Sequence, residues 1–307
     1  MVQQSTITKV RIGDYAISRI EEIMPQIPLN ILLPRLDPEF LDAHLGWLAP
    51  GHYDPETGLA PLSIHSWLLR TQHHTILVDA CAGNDKPRVR EEQADFANLK
   101  TPYLERLQAA GVRPEEVDIV MCTHLHVDHV GWNTRLENDQ WVPTFPNAKY
   151  LFSKTDYDYW DVTNRVGADP SVNDGPFEDS VLPIVEAGQA ELIEGSHAIE
   201  DAVVIHQRPG HTPGHVNLHI GGGDHRAIFS GDIMHHPIQA YQPNWSSCFC
   251  ELPEQARQTR HKLLQSCADE PTVLLPAHFA APHMARVKSD GDGFALDWVS
   301  PDQLGGN

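Results

Sequence analysis

Two β-sheets packed together with helices outside, an α+β arrangement, is the fold class this chain predicts. Both halves of the sequence alternate short β-rich runs with a few helical patterns. Turn signals such as Gly13-Asp14 and Gly221–Asp224 separate those runs. No repeat, low-complexity tract or linker divides the chain, so residues 1–307 read as a single domain long enough to bury a sizeable core.

The elements follow in order. Residues 7–23 read as two strands joined at Gly13-Asp14. Residues 24–61 are proline-rich with apolar residues between, and a helix is expected over about 38–45. This segment is either a lid or dimer contact, or a loop and helix that cap the core. A hairpin is expected from 64–71 and 75–80, a helix over 102–110, and buried strands at 117–122 and 149–153. A helix rich in tyrosine and tryptophan begins at Lys154. In the second half, a helix near 180–187 leads to strands at 191–193, 202–206, 216–220 and 227–230. An amphipathic helix over 253–268 and a last core strand at 272–275 complete the pattern.

Composition narrows the function classes. With 41% hydrophobic and 21% charged residues, disorder is expected only at the ends, with residues 302–307 as a loose tail. A formal net charge of −20 repels phosphate backbones and disfavours nucleic-acid binding. Five cysteines, Cys81, Cys122, Cys248, Cys250 and Cys267, are too sparse for a disulfide framework and read as reduced thiols. The first ten residues do not read as a signal peptide, and no apolar run approaches a membrane span, so a cytoplasmic protein is expected.

The segment that carries chemistry is Thr123-His-Leu-His-Val-Asp-His-Val-Gly131. It follows a buried strand and presents His124, His126, Asp128 and His129. Alternation places His124 and His126 on one side of an extended loop, with Asp128 and His129 a turn later. Neutral imidazoles and a carboxylate suit zinc, and also iron, cobalt or manganese. Three further residues sit where a core strand gives way to a loop: His211 in Pro209–His215, Asp232 after Phe229-Ser-Gly, and His278 after Leu275-Pro-Ala. Asp79 is either a partner that orients a ligating imidazole or a turn-capping aspartate.

The set resembles the metallo-β-lactamase superfamily, whose pattern is H-x-H-x-D-H followed by a later His, Asp and His; all seven positions match in order, over about residues 60–280. The resemblance implies an αββα sandwich, two mixed sheets flanked by helices, with two metal ions at one edge. It implies one zinc held by His124, His126 and His211, a second held by Asp128, His129 and His278, and Asp232 bridging them beside a hydroxide. The hydroxide attacks a carbonyl carbon or phosphorus, and Asp128 passes a proton to the leaving group.

Within the superfamily, Thr123–Trp132, Trp141–Asn147 and Gly231–Gln239 are similar to the N-acyl-homoserine lactonase and methyl parathion hydrolase group. Compact lactonases of that group carry a tyrosine three residues after the bridging aspartate; here that residue is His235. His235 either donates a hydrogen bond to the oxyanion or packs near the metals. The leading expectation is a di-zinc hydrolase opening a lactone ring, with N-acyl-homoserine lactones as substrate class and quorum quenching as the biological role. The alternative is an organophosphate or aryl ester hydrolase. A mono-iron oxidoreductase acting on sulfur compounds and a non-catalytic binding module fit the intact ligand set less well. The expected partner is a small-molecule ester or lactone, with no nucleic acid, no membrane and a possible homodimer. Trp47, Leu48, Trp132, Tyr157, Tyr159, Trp160 and Phe177 are pocket or core. His65, His73, His74, His215, His219 and His283 are expected not to ligate.

Overall fold

The structure, a computed structural model, describes residues 8–161, 173–291 and 293–304. Its contacts gather the chain into two compact units: residues 1–23, 64–195 and 304–307, and residues 24–63 and 196–303. The expected tail lies partly outside the described residues; Pro301–Leu304 form a 3-10 turn.

The first unit is built on a seven-stranded mixed sheet whose strands lie in chain order: β1 (Thr8–Ile12), β2 (Tyr15–Ile23), β3 (Ile64–Arg70), β4 (Thr75–Val78), β5 (Ile119–Met121), β6 (Lys149–Ser153) and β7 (Ala190–Ile193). The first four pair antiparallel, β1 with β2 and β3 with β4 through short turns and β2 with β3 across the long segment 24–63, and β4 to β7 pair parallel. Parallel neighbours need crossover connections. The helix Tyr103–Ala109 lies between β4 and β5, and Lys154–Trp160 and Leu182–Glu186 between β6 and β7. Ile20, Leu69, Leu77, Val120, Met121 and Phe152 are shut from solvent, each burial stabilising by about 1.5–3 kcal/mol. The register Val78↔Met121 sets the ends of β4 and β5 side by side, so Asp79 and Thr123 leave the sheet as neighbours.

The second unit has its own seven-stranded mixed sheet, again in chain order: β8 (His197–Glu200), β9 (Val203–Gln207), β10 (Val216–Gly222), β11 (His225–Gly231), β12 (Thr272–Pro276), β13 (Ala285–Asp290) and β14 (Gly293–Trp298). Only β11 and β12 pair parallel, and the helix Pro253–Asp269 crosses between them, burying Ala256, Leu263, Leu264 and Cys267. Gly231↔Pro276 brings the ends of β11 and β12 together. The helix expected to end near 45 continues to Leu48; Asp37 caps it by accepting from Glu39 N at 3.0 Å, and Pro38 opens it.

Most expected elements are present within a residue or two. The expectation lacked two antiparallel hairpins, Thr134–Glu137 with Gln140–Pro143 and β13 with β14, the antiparallel pair Gln26–Pro28 with Leu59–Pro61, and also β8. Their strands are short, and only a few of their residues are buried.

Candidate metal centre

In the first unit, the chain leaves β5 and runs through His124 and His126 into the single helical turn Val127–Val130. Three backbone hydrogen bonds fasten this loop to the one after β4: Ala80 N to His129 O, Gly131 N to Cys81 O and Trp132 N to Ala80 O, each 2.7 Å. The approach needs glycine: a Cβ on Gly131 would lie 1.8 Å from Ala82 O. Beneath, Glu22 of β2 accepts from Ala82 N (2.7 Å), Gly83 N (3.2 Å), Thr101 Oγ1 (3.1 Å) and Trp132 Nε1 (2.6 Å). Burial pushes its carboxyl above the usual range, and these donors pull part of the way back.

Asp79, buried with φ of 61°, accepts from Thr123 N at 2.7 Å and from Thr123 Oγ1 at 2.9 Å. Its Oδ2 stands 3.0 Å from His129 Nδ1. Since the Thr123 hydroxyl gives its proton to Asp79, its oxygen accepts from His124 Nδ1 at 3.1 Å. One carboxylate therefore holds His129 directly and His124 through Thr123. Both rings are set to the tautomer whose lone pair lies on Nε2, the form that binds a metal. Of the two readings of Asp79, the structure favours the orienting one. His124 is ring-to-ring with His126 at 4.6 Å and His129 at 4.0 Å, and Asp128 Oδ1 is 3.7 Å from His129 Nε2. The three histidines are buried, whereas the Asp128 side chain keeps 13% exposure.

Leu125, between the two histidines, is clamped at both backbone groups. Asp156 accepts from its N–H at 3.3 Å, and Asn173 donates to its carbonyl at 2.8 Å. Trp160 packs edge-on against His126 at 5.4 Å.

In the second unit, Asp232 follows β11 after Gly231, whose φ of 54° turns the chain. Its N–H donates to His215 Nε2 at 3.0 Å. Three imidazoles surround its carboxylate: His211 Nε2 at 3.3 Å, His235 Nε2 at 3.2 Å and His278 Nε2 at 3.0 Å. His211, Asp232 and His235 each offer a ligand atom within 4.8 Å of one another. All four side chains are buried. The loop after Asp232 is fixed by Arg260, which donates to the carbonyls of Ile233, Pro243 and Trp245 at 2.7–2.9 Å. Gln239 accepts from His235 N and His236 N. Burial lowers the Arg260 guanidinium to about 10 and also lowers His235.

His278 supplies the test of whether these residues fit a metal. A carbonyl only accepts, so the Nδ1 that faces Ser63 O at 3.1 Å carries the proton. The Nε2 lone pair then faces Asp232 at 3.0 Å. Two acceptors at that distance repel unless a proton or a metal ion lies between them, and the same nitrogen is within hydrogen-bond reach of the other carboxylate oxygen at 3.1 Å. Buried imidazoles around one carboxylate are the donor set of a zinc or other first-row divalent ion, so the residues fit.

Among the pocket candidates, Leu48, Trp132, Trp160 and Phe177 are buried; Trp132 stacks on Tyr103 at 5.2 Å. Tyr159 is exposed, and Trp47 stacks on Tyr241 at 4.8 Å. Sequence reasoning missed Glu22, Asp156, Asn173, Gln239, Arg260, and the pair Ser247 and Cys250. Ser247 Oγ lies 3.4 Å from His235 Nε2, and Cys250 Sγ 3.7 Å from His211 Nδ1. The one available signal was the C-x-C spacing of Cys248 and Cys250; the others are ordinary residues whose partners lie far along the chain.

The chain belongs to the metallo-beta-lactamase superfamily, whose family profile matches residues 59–278. Among its curated relatives is an N-acyl homoserine lactonase of Bacillus cereus, 24% identical over 188 residues, which are 56% of this chain and 61% of that protein. The chain thus matches about six tenths of the relative's length. Two solved structures share the fold over nearly their whole length. One is AidC, a dizinc quorum-quenching lactonase in complex with a homoserine product (TM-score 0.76, 21% identity, 96% of this chain and 97% of that one). The other is the hydrolase AbOPH (TM-score 0.81, 22% identity, 97% and 98%). At these identities the likeness is one of fold. No helix among the described residues is long and apolar enough to cross a membrane.

Proposed function

We propose that this chain is a di-metal hydrolase that opens a lactone ring, with N-acyl-homoserine lactones as its leading substrate class. The observation that carries the reading is the carboxylate of Asp232, ringed by His211, His235 and His278 with a lone pair of His278 turned toward it. The first unit adds buried imidazoles whose tautomers Asp79 has already set. The assignment of His124, His126, Asp128, His129, His211, Asp232 and His278 as the ligands of two zinc ions is part of the proposal. Bound there, such ions supply Lewis acidity, activating a water near neutral pH and neutralising the oxyanion that develops.

The chain's own groups divide the remaining work. Asp79 and Thr123 hold ring orientation, as Ser63 does for His278. Asp128, which keeps contact with solvent, passes a proton to the leaving alkoxide. His235, buried against Asp232, donates the hydrogen bond to the substrate oxygen that a tyrosine supplies in compact lactonases. Residues 24–61, with Ile31 at 57% exposure, serve as a lid or homodimer contact. The curated lactonase relatives support the substrate class. His235 in place of tyrosine favours the phosphotriester and aryl ester alternative.

The test couples metal counting to activity. Two zinc ions per chain with preferential opening of a long-chain acyl-homoserine lactone, lost in Asp232→Ala, is the expected result. Preference for methyl parathion or an aryl ester moves the substrate assignment. One iron with no hydrolysis of any of the three overturns the hydrolase reading.

A further inference from the structure

A second feature of the second unit lies outside the chemistry described above. The end of β9 and the helix Pro253–Asp269 enclose a recess of about 340 Å³, lined by Arg208, Lys262, Gln255, Gln258, Thr259 and Ser266. Its walls are tied together: Thr259 Oγ1 donates to Pro209 O at 2.6 Å, and Arg208 N donates to His215 O at 2.7 Å. Gly210 fits flush on the helix, since a Cβ there would lie 2.3 Å from Ala256 N. The recess therefore has a fixed shape.

Its charge is out of keeping with the rest of the chain. The sequence has 42 acidic and 22 basic residues, so most cations have a carboxylate to pair with. Yet among the described residues, neither Arg208 nor Lys262 forms an ion pair. The Arg208 guanidinium is half-buried, and its single hydrogen bond, of 2.9 Å, runs to the Gln207 carbonyl. Nearby Arg226 is already paired with Glu270. A partly desolvated guanidinium without a counter-charge is costly, and burial lowers its pKa. Beside the apolar Pro209 and Leu263, the remaining lining groups are glutamine amides and a serine hydroxyl able to donate hydrogen bonds.

We propose that this recess binds a small oxyanion, of the phosphate or carboxylate class, held between the fork of Arg208 and the ammonium of Lys262. A guanidinium meets two oxygens of such an anion at once, and lysine adds a point charge. The occupant sits on the segment that leads, three residues later, to His211.

The full chain is titrated with inorganic phosphate and, separately, with succinate at constant ionic strength, with chloride as reference. Phosphate also ligates divalent ions, so the Arg208 Nε–H resonance is followed rather than activity. A saturable shift with phosphate, succinate or both, absent with chloride, is expected and identifies the preferred class. Lys262 is exposed, so its variants should fold. Lys262→Gln should weaken binding about tenfold, the worth of one charge-assisted hydrogen bond. Lys262→Glu should abolish binding and raise the melting temperature by giving Arg208 its missing carboxylate. A shift that never saturates, that chloride reproduces, or that Lys262→Gln leaves unchanged overturns the proposal.

Discussion

The loop after β4, to which the His124–His129 segment is fastened, and the loop that follows Asp232 are each anchored by one buried charge, of opposite sign. Glu22 gathers two backbone N–H groups, a hydroxyl and an indole N–H. Arg260 gathers three carbonyls. The sign follows from what each turn leaves over: donors after β4, acceptors after β11. Buried backbone groups must be satisfied, and a group that answers several at once fixes a long loop without secondary structure. The ligand-type residues differ as well. In the first unit they lie within six residues of one loop, while in the second they come from three strand ends and converge through sheet register.

The largest expected effect removes the convergence in the second unit. Asp232→Ala should lower hydrolysis about a thousandfold or more and leave fewer than two metals per chain, measured by initial rates and elemental analysis. Retained activity would show that the three imidazoles do not depend on their carboxylate.

The next contrast is with pH. Burial lowers His52 to about 4 and His236 to about 3, and both belong to the second unit. His236 Nε2 donates to His52 O at 2.8 Å, a bond the neutral ring already makes. Their unfolded pKa near 6.5 is higher, so the unfolded chain takes up protons first as pH falls. Their contribution is present above pH 6.5 and lost progressively between about 6.5 and 3, by several kcal/mol. Amide exchange at pH 7 and pH 5 should show the second unit losing protection ahead of the first; equal loss would count against this.

Removing either anchor tests the comparison itself. Glu22→Ala and Arg260→Ala should each destabilise by about 3 kcal/mol, since each strands several buried groups. A change below about 0.5 kcal/mol in denaturant titration would deny that anchor its role. Smaller effects are expected at the orienting partners. Asp79→Asn should weaken metal affinity by about 10- to 100-fold through His129 and His124. Cys250→Ala, at 3.7 Å from His211, should cost less than about tenfold. Competition with a chromophoric chelator ranks the two, and the reverse order would mean that the contact at His211 matters more to metal affinity than the carboxylate behind His129 and His124.

The first-unit cluster was legible because its residues are contiguous and follow a recognisable buried strand. His211, Asp232 and His278 were legible only as a pattern across the chain; which groups touch depends on the parallel pairing of β11 with β12, which no local signal specifies. Glu22 and Arg260 gave no signal, since a lone acid in a strand and a lone arginine in a helix read as surface residues. The hairpins did leave one. Asn138 and Asp139 both adopt positive φ, 50° and 61°, the conformation that Asn and Asp tolerate in tight turns. The strands beside them were too short and too polar to stand out.

The position of Glu22 bears on how the protein can be shortened. The family match opens at residue 59 and closes at 278, boundaries a molecular biologist would use to clone a minimal catalytic fragment. Such a fragment lacks β1 and β2, and with them the carboxylate under the first loop; it also lacks β13 and β14. Each sheet would present a bare, apolar edge, β3 in one and β12 in the other, ready to pair with neighbouring chains. The trimmed piece should aggregate on expression, while one spanning residues 8–299 should remain in the supernatant.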